Sequence, residues 1–103
     1  MTTPTASIVA LVETALSELD EIREAHPEIS ALTAGPRLIL ARALDVGRRQ
    51  DDIARRGTVA GAASLAGTVV AGALHRRLDL RDVADGRLRD VALALVAGAE
   101  AAR

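Results

Sequence analysis

The stretch GTVAGAASLAGTVVAGAL, Gly57 to Leu74, runs eighteen residues without a charge, and only Leu65 and Leu74 in it are larger than Val. Three structures would account for it: a membrane span, a buried helix, or a surface made for another copy of the chain. Projected at about 100° per residue, the stretch has two unlike sides. Val59, Ala62, Ala63, Ala66, Val69, Val70 and Ala73 fall on one side, whereas Gly57, Gly61, Ser64, Thr68, Gly72 and His75 fall on the other.

The membrane reading is the weaker one. A single span needs about 20 predominantly apolar residues, and this run includes four glycines together with Thr58, Ser64 and Thr68. Arg55 and Arg56 precede it and Arg76 and Arg77 follow it, so positive charge at both ends gives no orientation signal. A soluble helix that is apolar all round has to be covered on most of its sides. The Val/Ala side suits a bundle core. Small residues three and four apart let two backbones approach closely, which matters only where a second surface lies against them. Gly57, Gly61, Ser64, Thr68 and Gly72 are therefore the candidate helix–helix or subunit interface, with the neighbour either inside the same chain or in another copy.

Outward from this stretch, the other segments are helical too. Thr3 before Pro4 fits an N-cap followed by proline at the first helical position, and Ile8, Val12, Ala15, Leu19 and Ile22 form one apolar seam. Pro27 ends that helix near Ala25. Gly35 and Pro36 read as a stop and a new start, followed by a helix with Ile39, Ala43, Val46 and Ile53 along one side and a soft point at Gly47. Asp79 is the expected N-cap of the last helix, with Leu78 and Val83 set for a hydrophobic staple. Leu88, Val91, Leu95 and Ala99 carry its seam, and Gly86 is a point where a short turn would separate from it.

No period-2 strand pattern or repeat occurs. The expectation is an all-α single domain over residues 1–103, a small bundle of about four helices near 4–25, 36–56, 58–77 and 80–102. Short connections favour antiparallel neighbours. The core would be built from 28 Leu, Ile and Val residues, with 22 Ala and 8 Gly making most other contacts. There is no cysteine and no aromatic residue, which excludes disulfides, thiolate metal sites and base stacking on aromatic rings. No charged segment precedes an apolar run at the N-terminus, so the expected location is cytoplasmic.

Chemistry is sparse. His26 and His75 are the only imidazoles. His26 precedes Pro27 with no carboxylate placed for an E-x-x-H pair, and His75 sits with Arg76 and Arg77 where a helix end favours cations. No phosphate-cradling loop and no nucleophile motif surrounds Ser7, Ser17, Ser30 or Ser64. The chain reads as non-enzymatic, with no catalytic residues, no metal and no cofactor.

All 13 basic residues are arginine, for which the codon bias of a GC-rich genome is the simplest cause. Residues 1–30 carry six acids against Arg23, and the remainder carries eight acids against twelve arginines. These two parts attract each other, within one chain or between copies. Arg42, Asp45, Arg49, Asp52 and Arg56 alternate in sign at helical steps and would satisfy one another. Arg48 and Arg55 are less neutralised.

The segments PRLILARALDVGRRQDDIARRG and AGTVVAGALHRRLDL, together spanning about Pro36 to Leu80, resemble the helical hairpin of small terminase subunits of tailed phages and phage-like gene transfer particles. The resemblance implies ring formation through such helices, DNA binding, and regulation of a large terminase ATPase. Carried over, the Ala/Gly helix would be the ring-forming surface and Arg48, Arg55, Arg76 and Arg77 would face DNA phosphates in weak, non-specific contact. The chain departs from that family in lacking an N-terminal helix-turn-helix and in beginning with an acidic helix. The alternative function is a protein-interaction adaptor, such as a head–tail joining component or a regulatory bundle, without DNA binding.

Overall fold

The computed structural model describes residues 4–76 and 81–102, with side chains placed for 8–76 and 86–102. Thr3, Arg77, Leu78, Asp79 and the side chain of Val83 lie outside the described residues. Among those described there is no strand, and four helices form an all-α bundle. Helix α1 spans Pro4–Ala25, α2 Ser30–Gly47, α3 Asp52–Arg76 and α4 Arg81–Ala101, with one 3-10 turn at Pro27–Ile29. The bundle measures 42 × 22 × 21 Å, with α3 packed most extensively on α4 and α2 and α1 lying across all three.

α1 follows its sequence pattern. Ile8, Val12, Ala15, Leu19 and Ile22 are all buried, and the chain leaves the helix at His26, where Pro27 disfavours further α geometry in the residue before it. The 3-10 turn at Pro27–Ile29 then leads directly into α2, with the Ser30 hydroxyl donating to the Pro27 carbonyl at 2.8 Å.

α2 corrects the expected start at Pro36. It begins at Ser30 and runs through Gly35 and Pro36 without a break. An interior proline costs about 3 kcal/mol, and here burial outweighs it. Ile29, Thr33, Pro36, Leu40, Ala43 and Gly47 recur at helical spacing and are all buried, so a stop at Gly35 would have split one continuous seam. Thr33 is the one polar member, and its hydroxyl donates back to the Ile29 carbonyl at 3.3 Å.

The next turn also moves. Instead of a helix continuing to residue 56, α2 ends at Gly47 and α3 starts at Asp52, so Gly57 is a helix-interior residue. Two side chains fix this boundary. Asp51 Oδ1 accepts the backbone N–H of Ala54 at 2.8 Å, the bond of a helix N-cap. From one turn further on, Arg55 reaches back, its Nε donating to the Gly47 carbonyl at 2.7 Å and its terminal nitrogen to the Gln50 carbonyl at 3.3 Å. Val46 and Ile53, expected along a buried side of one helix, consequently sit on separate helices and are 50% and 87% exposed. The alternating row from Arg42 to Arg56 is likewise divided between two helices.

α3 buries Val59, Ala60, Ala63, Ala66, Gly67, Val70 and Leu74. Its closest approach to α4 is at Gly67, where an added Cβ would lie 2.8 Å from both the Ala92 carbonyl oxygen and Val96 Cγ2. α4 answers with Leu88, Val91, Ala92, Leu95, Ala99 and Ala102 and passes through Gly86 as one continuous helix.

Candidate interaction surface on α3

The solvent side of α3 is built from residues too small or too apolar to hold water firmly. Gly57, Gly61, Thr68 and Val69 are exposed and Ser64 and Gly72 are half-buried. A Cβ built at Gly57 or Gly61 would meet nothing within 4 Å, and one at Gly72 would meet only the Arg76 guanidinium at 3.4 Å. The Thr68 hydroxyl donates to the Ser64 carbonyl at 2.8 Å, so even this polar group is turned back on its own helix. Leu65, 53% exposed, stands up between Gly61 and Thr68, and Ile53 ends the row at 87%.

These positions separate the two readings of the small-residue stripe. Among the described residues no other helix of the chain lies on it, and the close helix–helix approach inside the chain is made by Gly67 on the opposite flank. Sequence projection missed Gly67, although its spacing from Ala63, Val70 and Leu74 was the available signal. Ile53 was missed because the position of the α2–α3 turn decides its side.

At its N-terminal end the surface continues into a groove of about 340 Å³ lined by Ile53, Arg56, Gly57, Ala60, Gly61 and Ala102. The Arg56 Nε is buried beside it without an acceptor. A second groove of about 300 Å³ lies between α1 and α4, apolar along Leu11, Ala15, Val91 and Ala94 and closed by Glu18 and Arg87.

The arginines expected to face DNA do not form one patch. Arg48 is exposed at the α2–α3 turn. Arg55 is half-buried and engaged with the Gly47 and Gln50 carbonyls, and Glu13 shares the cleft that these two arginines line. Arg76 is exposed at the far end of the 25-residue α3, about 37 Å away at the usual helical rise. Arg77 lies outside the described residues.

Other arginines hold the acidic helix within the chain. Arg37 forms a forked pair with Asp20, Nε to Oδ1 at 2.7 Å and the terminal nitrogen to Oδ2 at 3.3 Å. Arg87 donates to Glu18 at 2.9 Å and to Glu21 at 3.0 Å. The hydrogen bond from Arg37 lowers the Asp20 pKa below the ordinary carboxylate value, against an opposing push from partial burial. His26 Nδ1 lies 3.7 Å from Glu28 Oε1, and His75 is exposed in the last turn of α3. Among the described residues, no three His, Asp or Glu side chains come together as a group that would hold a metal. By length and composition α3 would cross a bilayer, a test that buried core helices also pass, and 39% of its most apolar window is buried in the bundle.

Compared with known proteins, the chain matches no family model, no curated protein and no solved structure.

Proposed function

We propose that this protein is a non-enzymatic helical component whose function is assembly, and that the solvent side of α3 is the surface through which it associates with further copies of itself. The observation that carries the reading is the coincidence of open glycines with exposed large apolar side chains on one helix. Gly57 and Gly61 have free space above them, while Ile53, Leu65 and Val69 are 87%, 53% and 38% exposed around them. Contiguous apolar surface of this kind marks association sites, and glycines allow the close backbone approach that makes such a contact dense.

Sedimentation at tens of micromolar tests it. The wild-type chain is expected to run as an oligomer. Gly61→Leu, which meets no atom of its own bundle, is expected to stay folded and shift to monomer. A monomeric wild type at such concentrations overturns the reading.

The resemblance to small terminase subunits sets the wider role we propose: a part in phage-type DNA packaging, with a large terminase ATPase or another structural protein as partner and weak, non-specific DNA contact through Arg48 and Arg76. The separation of these arginines and the capping work of Arg55 favour the second reading, an adaptor that joins proteins without DNA. Electrophoretic retardation at low salt discriminates the two. Contact with phosphates weakens steeply as salt rises, and no retardation at low salt leaves the adaptor.

A further inference from the structure

Building on the assembly reading, we infer that the α3 surface is completed by α3 of one second copy, packed antiparallel about a two-fold axis that passes between Ser64 and Leu65. A closed two-fold interface has to be self-complementary, each contact of residue i with j being repeated as j with i. The exposed row meets that condition in an antiparallel register. Centred between positions 64 and 65, Gly57 comes level with Gly72 of the other copy, Gly61 with Thr68, and Ser64 with Leu65.

The sizes agree with the register. The tightest crossing pairs Gly61, with nothing above it, against Thr68, whose hydroxyl is already bonded to its own helix. The one large residue at the centre, Leu65, lies beside its own symmetry mate. The ends agree as well. The first turn of α3 carries acidic Asp52, its side chain 84% exposed, next to the capping Asp51, whereas Arg55 in that turn is drawn inward onto the Gly47 carbonyl at 2.7 Å. The last turn carries exposed His75 and Arg76. An antiparallel pair sets these unlike ends together and opposes the two helix dipoles, while a parallel pair would set like against like. Between the ends, Gly57 to Leu74 holds no charge that would be desolvated.

The chain has no cysteine, so single cysteines report the register directly. At the closest usual helix spacing of about 8 Å, Cα atoms of position 64 in the two copies stand about 6 Å apart, within disulfide reach. Ser64→Cys is expected to form a covalent dimer on mild oxidation. Gly57→Cys alone and Gly72→Cys alone are expected to stay uncrosslinked, whereas an equimolar mixture of the two crosslinks.

Sedimentation of the reduced proteins, run alongside, separates the possible failures. If the reduced chain is monomeric, the assembly reading fails and this inference with it. If it is oligomeric but Gly57→Cys and Gly72→Cys each crosslink to themselves, the helices run parallel and only this inference falls. Oligomers in which Ser64→Cys never crosslinks associate through another face, which also overturns it.

Discussion

A methyl group added at Gly67 would sit 2.8 Å from the Ala92 carbonyl oxygen, while one added at Gly61 would meet nothing within 4 Å. The two glycines therefore answer differently to the same substitution. Backbone cannot move aside as a flexible side chain does, so Gly67→Ala has to push α3 and α4 apart, and overpacking of this kind costs about 1–3 kcal/mol. Gly61→Ala strains nothing within its own bundle and gains about 1 kcal/mol from the better helix propensity of alanine. Urea unfolding at a concentration low enough to keep the chain monomeric should move the midpoint down for the first variant and up for the second. Gly98 is a third case. Its added Cβ would press on the Leu11 side chain, which has other rotamers open to it, so Gly98→Ala should cost less than Gly67→Ala. The composition of the Gly57–Leu74 stretch told that close packing was involved, but which glycine served the core and which the surface depended on where α4 lies.

The helices divide into those whose ends are written locally and those whose ends are decided by contact. α1 was legible because one seam, from Ile8 to Ile22, and one stop signal, Pro27, agree with each other. α2 was misread at its start because Gly35–Pro36 is a strong local break, and only the burial of Ile29, Thr33 and Leu40 on one line explains why the helix runs through it. The α2–α3 turn was placed one element too late because the glycine at 57 looked like a terminus, whereas the capping pair that sets the boundary is Asp51 and Arg55. That pair is open to test. Asp51→Ala removes an N-cap and should cost about 1 kcal/mol. Arg55→Ala leaves the Gly47 carbonyl without its 2.7 Å donor and should cost about the same, the worth of a typical intramolecular hydrogen bond. Arg48→Ala, exposed beside it, should leave the unfolding midpoint unchanged. A neutral Arg55→Ala together with a destabilising Arg48→Ala would reverse this assignment of roles.

Over the whole molecule, the charge asymmetry of the sequence turns out to be used within the chain. The acidic second half of α1 faces Arg37 on α2 and Arg87 on α4, so the ion pairs fasten the first helix to both of its flanking partners and leave the mid-section of α3 free of charge for contact. Because the Arg37 hydrogen bond depresses the Asp20 pKa, the folded state holds that carboxylate ionised to lower pH than the unfolded chain does, whose Asp titrates near 3.9. The sign follows from proton linkage. The pair contributes fully above about pH 5 and is lost as the pH falls through the depressed native value. With Asp20 and Arg37 each about two-fifths exposed, solvent screening holds the contribution to less than about 1 kcal/mol. Asp20→Asn should therefore lower the urea midpoint slightly at neutral pH. The deficit should shrink as the medium is acidified below about pH 4, where the wild type too is protonated, and it should shrink at neutral pH when salt is raised to about 1 M, where the screening length falls to about 3 Å. A deficit that stays constant across both titrations would mean that Asn disturbs the packing of α1 on α2 and that the forked pair itself adds nothing.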